Sequence, residues 1–188
     1  MVRMCYVHEL VTGASCGFWW VGEKNWEGIP SALMQCGTPR NYFVFDFTEK
    51  DYSFRYKGIG MDASRQMNIW IAGIDSTDVY IDELRNKPQG EMLVTVYGAS
   101  DSTVVRCRLD NGEWLLCEKK QEELDVNVAR VRNWNLLKIF PTRFNRRNPF
   151  RKQSSPQIWG LQLPKEYCEG VHLITVEASD RWGFKASG

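Results

Sequence analysis

Histidine is almost absent. Only His8 and His172 occur in 188 residues. A dinuclear, water-activating metal centre needs several His, Asp and Asn ligands held a few ångströms apart. Two imidazoles without clustered acidic ligands do not assemble one. Neither His sits in a recognisable nucleophile–base motif, so a structural or surface role is expected for each. The six cysteines (Cys5, Cys16, Cys36, Cys107, Cys117 and Cys168) are scattered and contain no C-x-x-C pair. That excludes zinc-ribbon and thioredoxin-type spacing, while an even count permits disulfides without requiring them. Charge of one sign is also missing: 24 basic against 23 acidic residues leave +1. The whole molecule therefore offers no bulk electrostatic case for nucleic acid or an acidic membrane surface. No apolar run approaches the ~20 residues of a membrane span. The N-terminal Met1-Val2-Arg3-Met4-Cys5-Tyr6, followed by His8 and Glu9, has no signal-peptide apolar region. Strand-like residues begin at once, as expected of an internal fragment.

What is present is aromatic and alternating. Aromatics make up 13% of the chain, with eight Trp, which suits sheets better than helical bundles. Tyr42–Phe47 and Tyr52–Lys57 alternate around a polar turn and predict a hairpin, Met67–Ile71 predicts a strand, and so do Met92–Tyr97 and Val171–Ser179. Pro88-Gln89-Gly90 is the strongest internal punctuation. The pattern predicts an all-β chain, an antiparallel β-sandwich. A first β half covers 21–88, and 89–188 forms an immunoglobulin-like half. The one helical or irregular insertion falls within Val126–Phe140.

Asp110-Asn111-Gly112-Glu113 predicts a two-residue hairpin turn, since Asn-Gly tolerates positive φ. That register sets Cys107 opposite Leu116 and Arg106 opposite Cys117. Val105, Cys107 and Leu109 then share an inward face with Trp114 and Leu116. The two cysteines point to opposite faces, so buried free thiols are expected rather than a bridge.

Gly58-Ile59-Gly60-Met61-Asp62-Ala63 matches a dinucleotide-binding G-x-G-x-x-A pattern. The residues after it alternate like a strand, so no helix N-terminus is available to hold a pyrophosphate, and a turn is expected. Two clusters are candidate binding elements. Val126–Lys152 carries eight cations and no acid, with Arg143, Arg146, Arg147 and Arg151 interleaved with Phe144 and Phe150. It would bind a polyanion or phosphorylated ligand, or else form a solvated surface excursion. Trp19, Trp20 and Trp26 would form a carbohydrate-stacking platform if exposed, and core or a domain interface if buried.

Several ordered motifs resemble one family. Gly13-Ala14-Ser15-Cys16-Gly17-Phe18-Trp19-Trp20 is followed by Gly37-Thr38-Pro39-Arg40-Asn41-Tyr42, with Cys36 where the family has Asp. Gln66-Met67, Ser154-Ser155-Pro156-Gln157-Ile158-Trp159 and His172–Gly183 continue the series. Together they resemble the C-terminal region of bacterial calcineurin-like metallophosphoesterases. The resemblance implies that 1–20 connects to an upstream catalytic domain, which would be the chain's partner. Divalent metals are implied only there, with no cofactor or catalytic residue in this chain, whose motifs lack D-x-H, G-N-H and G-H-x-H. It also implies a parent enzyme that hydrolyses phosphoesters in the periplasm or outside the cell. The rival expectation is an independent carbohydrate- or polyanion-binding module.

Overall fold

Aromatic and β-branched residues at period two build most of the elements. In the computed structural model, residues 9–10, 12, 33–34, 36–74, 81, 84–137 and 153–188 are described. Strands β1 (Asn41–Phe47) and β2 (Tyr52–Gly58) form an antiparallel hairpin. β3 (Met67–Ile71), β4 (Glu91–Val96), β7 (Glu118–Lys119) and β8 (Ile158–Gln162) form one four-stranded sheet, in the order β3-β4-β8-β7. β5 (Val104–Leu109), β6 (Trp114–Leu116), β9 (Ile174–Ser179) and β10 (Lys185–Ser187) form a second, in the order β10-β9-β5-β6. All these pairings are antiparallel. The all-β expectation therefore holds, with one α-helix among the described residues, α1 (Val126–Leu136), inside the predicted insertion. β3 and β4 pair across the Pro88-Gln89-Gly90 turn, so this sheet draws strands from both sides of it.

The sandwich core lies between the two sheets. Val94 and Val96 of β4 and Trp159 of β8 meet Val105 and Cys107 of β5 and Val176 of β9, all buried. Complete burial of a Val or Leu side chain is worth about 1.5–3 kcal/mol, so this layer carries much of the stability. The other face of the β3-β4-β8 sheet is covered too. Trp70, Leu93 and Ile158 pack there with Val128, Ala129 and Val131 of α1. Coverage on both faces explains why Met92–Val96 are all buried rather than alternating. No helix among the described residues is long and apolar enough to cross a membrane.

The β5–β6 register differs from the sequence expectation by one residue. Arg106 faces Leu116, Cys107 faces Leu115 and Arg108 faces Trp114. The cause is Asp110. Its N–H donates to Leu173 O, and its carboxylate accepts Leu173 N–H, which draws it toward the β9 side. Asp110 takes the positive φ, at 50°, and Gly112 N–H closes the turn on Leu109 O. Trp114 and Leu116 consequently share the outer face with Arg106 and Arg108, and Leu116 is exposed. Cys117 N–H donates to Val105 O, placing Cys117 on the same inward face as Cys107. The expected opposite-face arrangement is wrong, yet both cysteines are buried free thiols. The hydrogen bond to Cys107, with burial, pushes the Cys117 thiol well above the ordinary thiol range.

The G-x-G-x-x-A stretch is a turn, as expected. Gly60 has φ 74° and β3 follows it, with no intervening helix.

Candidate functional site

Two of the motif segments converge on one polar cluster. Asp125 precedes α1, and its carboxylate accepts the N–H groups of Asn127 (2.9 Å) and Val128 (3.1 Å). This is an N-cap that satisfies two of the orphan donors of the helix. The other carboxylate oxygen accepts Thr95 Oγ1 from β4 at 2.6 Å. Asp125 is fully buried, and burial raises its pKa despite these three donors. The Cys36-Gly37-Thr38 turn closes over it, with Gly37 at φ 86°. A Cβ on Gly37 would lie 2.0 Å from Asp125 Cγ, so only glycine allows the approach.

The 155–157 segment locks that turn in place. Thr38 Oγ1 donates to Gln157 Oε1 at 2.6 Å, and Ser155 Oγ donates to Cys36 O at 2.8 Å. Cys36 Sγ is itself a donor, to Thr38 Oγ1 at 3.3 Å. Gln66 belongs to a neighbouring knot: its Nε2 donates to Tyr56 O, and Tyr97 N–H donates to Gln66 O. The Tyr56 and Tyr97 rings lie 5.1 Å apart, and burial pushes both phenols up. A thiol that donates to a hydroxyl and a carboxylate occupied by three donors are not poised for nucleophilic attack. This constellation is a clasp: it ties the 36–39 turn, β4, α1 and the approach to β8 together.

His172 has an equally definite environment. Nδ1 lies 2.8 Å from Asp110 Oδ2, and Nε2 lies 2.8 Å from Glu169 O. The Tyr167 ring meets it edge-on at 5.0 Å. With both nitrogens facing acceptors, the doubly protonated ring fits best. The hydrogen bond to Asp110 raises the His172 pKa, and the same bond lowers that of Asp110. The raised His172 pKa means its contribution is complete below the ordinary imidazole value and fades as pH rises through the raised one. The depressed Asp110 pKa means its contribution fades as pH falls through the depressed value. His172→Ala is therefore expected to lower Tm more at pH 5.5 than at pH 9. Thermal unfolding of both proteins across that range checks it, and an equal loss at both values would refute the pairing.

The residues singled out from sequence fare unequally. Trp19, Trp20 and Trp26, the basic residues Arg143, Arg146, Arg147 and Arg151, and His8 lie outside the described residues. Asp125 and Thr95 were not anticipated. The signal for Asp125 was an acidic residue directly before the Val126 helical pattern, a recognised N-cap signature. Thr95 gave no signal, because a threonine in a buried strand reads as ordinary β filler. Among the described residues, no three His, Cys, Asp or Glu side chains converge as metal ligands.

A family model described as the C terminal of calcineurin-like phosphoesterase matches residues 9–185. No curated protein and no solved structure matches the chain. The matched span takes in the clasp, the His172 corner and every strand of the two four-stranded sheets up to the first residue of β10. The chain belongs to the family of calcineurin-like phosphoesterase C-terminal domains.

Proposed function

We propose that this chain is a non-catalytic accessory domain that packs against an upstream calcineurin-like phosphoesterase domain and helps shape its substrate cleft. The family match over 9–185 carries this proposal, because the family is defined as the region C-terminal to the enzyme. The side chains agree with it. His172 is held by Asp110 and Glu169, and the Asp125 carboxylate is taken up by the α1 N–H groups and the Thr95 hydroxyl. The chemistry of the parent protein, phosphoester hydrolysis on divalent metals outside the cytoplasm, belongs in this proposal to the upstream domain. Trp19, Trp20 and Trp26 would supply apolar surface toward that domain. Expressing the parent reading frame with and without residues 33–188 tests the arrangement. Loss of this region is expected to raise KM for the natural phosphoester or to release a less stable catalytic domain. Unchanged kinetics and unchanged Tm would defeat the proposal.

A further inference from the structure

The outer face of the β10-β9-β5-β6 sheet is turned away from the core and is unusually cationic. The observed registers put Arg106, Arg108, Trp114, Glu177 and Lys185 on that one face. Both guanidinium groups lie over the Trp114 ring, Arg106 at 4.5 Å and Arg108 at 4.8 Å from its centroid. The indole thus holds two cations side by side, at low conformational cost. Arg106 is also fixed by Glu177 at 2.7 Å. Arg108 and Lys185 form no ion pair among the described residues, and Arg108 Nε makes no hydrogen bond.

At the β10 edge this face sinks into an open groove of about 510 Å³. β2 meets the chain just before β10 through the buried Phe54–Phe184 bridge, and the hairpin with the 63–66 turn forms the far wall of the groove. Arg55 enters from that wall, held by Asp46 at 2.5 Å. Ser179 and Ser187 offer hydroxyls on the floor, and neither makes a side-chain hydrogen bond to another described residue. Of the groove's charged residues among those described, Arg55, Arg106 and Lys185 are cationic and only Glu177 is acidic. The volume falls in the range of small-ligand sites.

We propose that this groove binds a small hydroxylated anion, a phosphorylated sugar or a sugar acid. The acidic group lies on Lys185 and the pre-oriented guanidinium of Arg106, where charge-assisted bonds are strongest. The hydroxyls meet Ser179 and Ser187. The site acts within this chain alone, so its failure would leave the accessory role untouched.

Calorimetric titration of the chain with glucose 6-phosphate, glucuronate, glucose and inorganic phosphate tests it. At least one acidic sugar is expected to bind saturably. Lys185→Gln should weaken that binding about tenfold, as the loss of one charge-assisted contact predicts. Arg106→Gln should weaken it too, and glucose and phosphate alone should bind more weakly than the acidic sugar. Both positions are exposed, so the fold should persist, which circular dichroism would verify. Absence of binding by either acidic sugar would overturn the proposal. So would binding unchanged in both variants, or phosphate alone binding as tightly as its sugar ester.

Discussion

Gly37→Ala is expected to destabilise the protein by about 3 kcal/mol, through two costs that add. The first is conformational. Gly37 has φ 86°, a region where an L side chain is strained whatever surrounds it. The second is steric, because the new Cβ would lie 2.0 Å from Asp125 Cγ and 2.2 Å from Oδ1. Those atoms cannot yield freely, since the carboxylate is anchored by Thr95, Asn127 and Val128. In an Asp125→Ala background the collision partner is gone and only the backbone cost remains, about 1 kcal/mol. Urea unfolding of the two single variants and the double variant would measure that non-additivity. Strict additivity would mean that the turn does not rest on the carboxylate.

Asp125→Ala should cost about 2–3 kcal/mol on its own. Loss of a helix N-cap costs about 1 kcal/mol, and leaving the Thr95 hydroxyl unsatisfied in the core adds about 1–3 kcal/mol. Relief from burying an acidic group offsets part of the sum. Asp125→Asn keeps an acceptor for the α1 N–H groups, and the Thr95 hydroxyl can rotate to accept its amide, so a smaller loss is expected. The pH dependence separates the two forms of the side chain. Because burial raises the Asp125 pKa, the folded protein holds this proton more tightly than the unfolded chain. The wild type should therefore lose stability relative to Asp125→Asn as pH rises from the ordinary carboxylate value through the raised one. A difference between the two proteins that stays flat over that window would contradict the burial argument.

Much of the architecture was legible because alternation and turn chemistry agreed. Met67–Ile71 is a strand with the predicted bounds, and the other predicted strands differ only at their ends. The β5–β6 turn was misread because Asn-Gly is a strong local signal, while Leu173 and His172 act on Asp110 from 62 or more residues away. Local chemistry cannot register a partner that distant in sequence. That one-residue slip reversed the faces of Trp114 and Leu116. Arg106 and Arg108 were read as facing outward, but not the Trp114 ring beneath them, nor Glu177 and Lys185, which β9 and β10 bring to the same face. The clasp was visible only as motif fragments. Gly37-Thr38 and Ser155-Pro156-Gln157 could be noticed, but not the bond from Thr38 to Gln157 that joins them.

The family to which the chain belongs is defined by its place beside an enzyme, and the described residues build a scaffold of interlocked caps and strands. Arg55, Arg106 and Lys185 line an external groove rather than a buried centre. In the proposed accessory role, such a body would lend surface and orientation to a neighbouring active site.

Phosphatase turnover of the isolated chain with Mn²⁺, on p-nitrophenyl phosphate and bis-p-nitrophenyl phosphate, tests the assignment most directly. No release of nitrophenol above the metal-only blank is predicted, with robust release expected when the chain is joined in frame to a calcineurin-like phosphoesterase domain. Metal-dependent, saturable turnover by the isolated chain that chelation abolishes would place the catalytic centre in these residues and contradict the account.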